Sequence, residues 1–225
     1  MKIGIYVSNN ATTLKKILNF LNKNFPEYLK CIEYIFIDNE INEELRELVL
    51  KYNINFLEKN VQKDEVSSIM FNLSEKYTVD YLFIFGKRIL KGELLEKYKN
   101  KIINFHPAIL PSFKGIKAID QALQTDVILL GNTAHFIDEN VDEGIMIMQS
   151  LISRIKAENY FSVLDLQVFM AIQILEWICQ ERIEILENKV VNIKNGSYEV
   201  SNFIPNLENT LLIEKFVEYQ KYKNL

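Results

Sequence analysis

The chain has 225 residues, 48% hydrophobic and 25% charged, enough to bury the core of one α/β domain with a short appendage. Its net charge is −4, and its 26 Lys and Arg interleave with 30 Asp and Glu instead of forming a basic stripe, so no nucleic-acid partner is expected. The apolar start at residues 1–7 is too short for a secretory leader or a bilayer span, so a cytoplasmic protein without membrane contact is expected; Cys31 and Cys179 lack ligand spacing, so no metal is expected either.

Residues 2–7 form a first short apolar run, and Leu14, Ile17, Leu18 and Leu21 then follow helical spacing. Residues 31–37 are apolar and β-branched. A helix is expected over 43–52, a short strand over 54–57 and a helix over 66–77. Tyr81–Phe85 is an unbroken apolar run, the pattern of a strand covered on both faces. Helical residues up to Tyr98 lead into a strand at 102–105. Another helix is expected at 116–123, and strands at 131–137 and 145–155. A long helix follows at 163–181, with Leu166, Phe169, Met170, Ile172, Ile174, Leu175 and Ile178 on its apolar side. Residues 183–186 and 190–193 flank Glu187-Asn188-Lys189 as a hairpin, and 208–222 reads as a closing helix.

This alternation predicts an α/β fold of the Rossmann-like, doubly wound kind: a mostly parallel sheet with flanking helices, and a small C-terminal hairpin and helix extension. Ligands of such sheets bind beyond the carboxyl ends of the strands. A main domain is expected over 1–190. The extension over 191–225 is expected either to pack on the core or to sit in a homodimer interface.

The two histidines of the chain, His106 and His135, fall in one stretch dotted with polar residues. Asn104 ends an apolar strand and His106 follows two residues later, the period at which strand side chains share a face. Pro107 and Pro111 stiffen the loop beyond. A histidine at a strand end is more often a hydrogen-bonded polar group than a catalyst, so wider motifs must decide.

The run Ile103-Asn104-Phe105-His106-Pro107-Ala108-Ile109-Leu110-Pro111-Ser112-Phe113-Lys114-Gly115 resembles the signature loop of the glycinamide ribonucleotide formyltransferase superfamily. Gly131-Asn132-Thr133-Ala134-His135-Phe136-Ile137-Asp138, followed by Val141-Asp142-Glu143-Gly144 and Gln149, is similar to that family's second signature. The likeness spans roughly residues 1–190. It implies 10-formyltetrahydrofolate as donor, a small-molecule primary amine as acceptor, and a catalytic trio of Asn104, His106 and Asp142. In that reading Asn104 donates an N–H to the formyl oxygen, worth on the order of 3 kcal/mol. His106 donates or shuttles a proton, and Asp142 orients His106 and takes up the proton of the amine.

The resemblance further implies that Arg88, Ile89 and Leu90 lie in a loop whose backbone embraces the pterin, with Asp138 and Val141 also on the donor. Acceptor contacts are expected at Asn10, Ala11, Thr12, Thr13, Lys114 and His135, although for His135 a plain hydrogen-bonded strand residue is equally expected. The sequence departs from the family at four points. Gly86-Lys87 replaces an aromatic-apolar pair. The loop Ser8-Asn9-Asn10-Ala11-Thr12-Thr13 lacks the glycines that cradle a substrate phosphate, leaving a helix start or a plain cap. Phe169 or a neighbour stands where the purine enzyme presents a Glu to the ribose, and Ile145 where a Pro follows Gly144.

The glycine-free loop and the Phe169 position, with a tail from Asn195 to Leu225 longer than the purine enzyme needs, favour a nucleotide-linked amino sugar as acceptor over the glycinamide ribonucleotide of purine biosynthesis. A methionyl-tRNA formyltransferase is disfavoured for want of a basic second domain, and a formyltetrahydrofolate hydrolase for want of an N-terminal regulatory domain. From another class, a folate- or nucleotide-binding module without catalysis stays open; the intact trio speaks against it.

Overall fold

The computed structural model describes residues 1–8, 11–39, 43–62, 64–157 and 160–222, with the Tyr160 side chain outside that description. The chain divides into two compact units, residues 1–104 with 136–141, and residues 105–135 with 142–225.

In the first unit, β1 (Ile3–Val7), β2 (Ile32–Ile37), β3 (Asn55–Glu58), β4 (Tyr81–Phe85) and the start of β5 (Ile102–His106) pair in parallel: β1 lies between β2 and β4, β3 flanks β2, and β5 flanks β4. All five residues of β1 are buried, as a strand shielded on both faces requires. The connections carry α1 (Thr12–Asn24), α2 (Pro26–Leu29), α3 (Glu43–Lys51), α4 (Val66–Tyr77) and α5 (Glu93–Lys97). Leu14, Ile17, Leu18 and Leu21 form the buried stripe of α1, each contributing about 1.5–3 kcal/mol by leaving water. Pro26 occupies the first turn of α2, where its missing N–H costs nothing.

The second unit begins with the end of β5 and continues through α6 (Ala118–Leu123), β6 (Leu129–Phe136), β7 (Met146–Ser153), α7 (Tyr160–Cys179), β8 (Ile183–Ile185), β9 (Val191–Ile193), β10 (Phe203–Ile204) and α8 (Thr210–Tyr222). Here β7 pairs antiparallel with β6 and with β10, and β8 with β9 forms a separate hairpin. The strand order β10-β7-β6-β5-β4-β1-β2-β3 is thus a mixed, mostly parallel sheet of eight strands.

By length and composition α7 could cross a membrane, but 83% of its stretch Phe161–Cys179 is buried inside the protein, as in a core helix. Phe169 is fully buried, its ring centroid 5.2 Å from Phe216, 5.8 Å from Tyr219 and 6.4 Å from Phe203. The residue expected where the purine enzyme contacts ribose therefore packs against the C-terminal segment. Glu208 ties that segment to α7: its carboxylate accepts from Trp177 Nε1 at 3.2 Å and from Arg182 Nη1 at 2.6 Å.

The expected elements recur within a few residues. Two went unforeseen, α2 and β10, because four and two residues are too short to display a period. The helix expected from 116 starts at Ala118, after Lys117 in a left-handed turn (φ 61°).

Candidate active site

Within the second unit, β5 ends at His106, which is 4% exposed, and β6 carries His135, 2% exposed. Asp142 sits in the loop before β7 with φ 55°, a conformation that aspartate tolerates better than most residues. Its carboxylate lies between the two imidazoles. Oδ2 is 3.4 Å from His106 Nδ1, and Oδ1 is 3.5 Å from His135 Nε2. The pairing with β7 shifts by one residue here: Ala134 opposes Met148, but His135 opposes Met146. Such a bulge re-aims the chain, and this one sets where the Asp142 loop enters β7.

The turn at 113–115 completes the cluster. Phe113 (φ 55°) and Gly115 (φ 81°) both have left-handed backbone. As a result one turn faces its Phe113 carbonyl to His106 Nε2 at 2.9 Å and donates its Gly115 N–H to Asp142 Oδ2 at 2.7 Å.

The electrostatics follow from these contacts. Burial lowers the His106 pKa below its ordinary 6.5, and the nearby Asp142 charge and the Phe113 carbonyl only partly offset it. For Asp142, burial pushes the carboxyl up. The His135 hydrogen bond, the Gly115 N–H and the charge of both imidazoles outweigh that and hold it below 3.8. A neutral imidazole has one N–H for two acceptors. The 2.9 Å contact assigns that proton to Nε2, while 3.4 Å is too long for a good hydrogen bond. The Nδ1 lone pair then faces a carboxylate. A proton arriving at Nδ1 would make both contacts favourable, so this nitrogen is a base with its counter-charge in place.

The loop beyond His106 is clamped. Thr133 Oγ1 donates to the Ala108 carbonyl at 2.8 Å and accepts the Leu110 N–H at 3.0 Å. Gln149 Nε2 donates to the Leu110 carbonyl at 2.9 Å and to Thr133 Oγ1 at 3.0 Å. Gly131 makes room for this arrangement, since a Cβ there would lie 1.9 Å from the Ser150 carbonyl oxygen.

The structure thus gathers His106, His135 and Asp142. Lys114 instead pairs at the surface with Glu143, 2.7 Å away. Of the residues expected in the first unit, Asn104 is half-buried on β5. Asp138 accepts the N–H of Asn140 at 2.9 Å, and Val141 is 49% exposed. Ala11 is buried with φ 50° and precedes α1 without a side-chain cap, so Thr12 and Thr13 form the first turn; Asn10 lies outside the described residues. The Arg88 side chain binds Asp38, its Nε 2.8 Å from Oδ2. Ile89 is exposed and Leu90 buried. Sequence reasoning missed Phe113, Gly115 and Asp38. Asp38 carried a readable signal, a polar residue closing an apolar strand, whereas the other two act through their backbone.

The formyl transferase family pattern matches residues 1–164. The chain is 32% identical over 198 residues to the formyltetrahydrofolate deformylase of Haemophilus influenzae, covering 84% of this chain and 69% of that protein. It is 40% identical over 89 residues to the human trifunctional purine biosynthetic protein adenosine-3, covering 39% of this chain and 9% of that one. Among solved structures, glycinamide ribonucleotide transformylase 1 of Symbiobacterium toebii superposes with a TM-score of 0.74 at 23% identity, over 86% of this chain and 94% of that one, a likeness of fold.

Proposed function

The chain belongs to the formyl transferase family, and with it to the enzymes that transfer formyl groups; from that premise we propose that it moves the formyl group of 10-formyltetrahydrofolate to a primary amine. One observation carries the reading: a carboxylate held between two buried imidazoles, one of which presents a basic nitrogen to it.

The donor supplies an activated formyl carbon. The loop after β4 fits it. The backbone N–H and C=O groups of Arg88, Ile89 and Leu90 form no hydrogen bond among the described residues, leaving a row of donors and acceptors for a flat heterocycle. His106 Nδ1 takes the proton released by the attacking amine, and Asp142 stabilises the imidazolium so formed. His135 and the Gly115 N–H fix the carboxylate. Asn104 enters through its motif, as the N–H donor to the formyl oxygen.

For the acceptor, the glycine-free loop before α1 supports a nucleotide-linked amino sugar, and the names of the relatives support glycinamide ribonucleotide equally. A second reading replaces the amine by water, favoured by the deformylase relative that covers 84% of the chain. Incubating the purified protein with 10-formyltetrahydrofolate alone, with glycinamide ribonucleotide, or with a nucleotide-linked amino sugar separates the three. Formate release without any amine establishes the hydrolase. Tetrahydrofolate release that depends on one amine identifies the acceptor, and no release in any arm overturns the reading.

A further inference from the structure

In the first unit a buried carboxylate stands outside the chemistry described so far. Asp38, directly after β2, is 3% exposed. Its Oδ2 accepts the Tyr6 O–H at 2.9 Å and the Arg88 Nε–H at 2.8 Å. Tyr6 is fully buried on β1, and burial together with the charge of Asp38 pushes its phenol up, so it stays a proton donor. The Tyr6 ring lies against the loop that follows β4: a Cβ on Gly86 would meet its Cε1 at 2.2 Å. The same loop is fastened at both ends. The Lys87 N–H donates to Ser8 Oγ at 3.1 Å and the Lys91 N–H to Ser67 Oγ at 3.0 Å, while Leu90 is buried in the core. Between these anchors Arg88 turns its guanidinium back onto Asp38, and Ile89 is 68% exposed.

We propose that Asp38 is a positioning residue for the donor loop: through Tyr6 and Arg88 it locks residues 86–91 into the shape whose free backbone groups receive the folate, so that Arg88 acts as a strut. This rests on the reading that the loop holds the donor. A buried carboxylate with two donors on one oxygen is costly to assemble, and taking one partner away leaves the other buried group unmatched, so the triad favours a single loop conformation.

The test is a double-mutant cycle read on binding of 5-formyltetrahydrofolate, a folate that leaves the protein unreacted, by calorimetry. Asp38→Asn and Arg88→Gln should each weaken binding about tenfold, and the double variant about tenfold as well, because both changes break one strut. Turnover at saturating donor should stay near wild type in Asp38→Asn, and the melting temperatures of all three variants report any loss of folding. Tyr6→Phe gives a milder variant that keeps the ring against Gly86 and should weaken binding less. A double variant weakened by the product of the single effects would mean that Arg88 meets the ligand directly, overturning the proposal. Equal binding by wild type and Asp38→Asn would also overturn it. If the wild-type protein binds no folate, the donor reading itself falls, a result distinct from either.

Discussion

Asp142 keeps its Oδ2 3.4 Å from Nδ1 of His106, close enough for charge to act and too far for a good hydrogen bond. Burial holds the imidazole neutral with one basic face turned to that carboxylate, and the first two predictions follow from this pairing.

Replacing Asp142 by Asn removes the counter-charge but keeps the size and an acceptor for the Gly115 N–H. Turnover should fall on the order of 10²-fold or more while the KM for the folate donor changes little. Steady-state kinetics with a melting curve check this. Unchanged turnover in a folded variant would remove Asp142 from the chemistry.

The His106 imidazole should titrate below its ordinary 6.5, and lower still in Asp142→Asn, since the carboxylate is what pulls it back up. Imidazole resonances followed by NMR against pH measure both. A lowered histidine pKa means that the unfolded chain binds the proton first as pH falls. The neutral-imidazole contribution to stability is therefore complete above 6.5 and lost as pH drops below it. Asp142, also lowered, adds a contribution complete above 3.8 and lost on further acidification. Denaturant midpoints should accordingly fall with pH in two steps, the upper one absent in His106→Gln.

Gly131→Ala places a methyl 1.9 Å from a backbone oxygen of the neighbouring strand, where no side chain can yield. We expect a loss of about 1–3 kcal/mol or failure to fold, measured by urea denaturation. Wild-type stability would contradict the β6–β7 pairing described.

Gln149→Leu fills the same space but removes the N–H groups that hold the Leu110 carbonyl and Thr133. The cost in stability should be about 1–3 kcal/mol. If the clamp also aligns His106, turnover drops with it, and Gln149→Glu, protonated at low pH, should recover part of both.

Phe169→Ala should destabilise the protein by about 3–5 kcal/mol by opening a hole among Phe203, Phe216 and Tyr219. Acceptor KM in the folded fraction should not change. A selective rise in KM with full stability would return Phe169 to the acceptor site.

Much of the fold was legible because its elements are long and periodic. The apolar runs at β1, β2 and β4 announce strands, the unbroken one at β4 a strand shielded on both faces, and the stripe of α1 is readable at i, i+3, i+4 and i+7. His106 and Asp142 were legible through motif spacing. What escaped depends on backbone direction. No residue type at 113 or 115 says that one turn will offer a carbonyl to one side chain and an amide to another. Arg88 was expected to serve the donor through its backbone, and that expectation left open where its side chain goes; it lies on Asp38, because a charged group beside a buried carboxylate satisfies that charge.

The extra residue in β7 has a last consequence. Ile147 has no opposite number on β6, and the chain leading back to Asp142 is offset by that one position. One strand residue advances about 3.3 Å, nearly the full distance between Asp142 and either histidine. Deleting Ile147 would therefore trade a continuous ladder for a carboxylate out of reach of both rings, an error of length that no substitution at 106, 135 or 142 could repair.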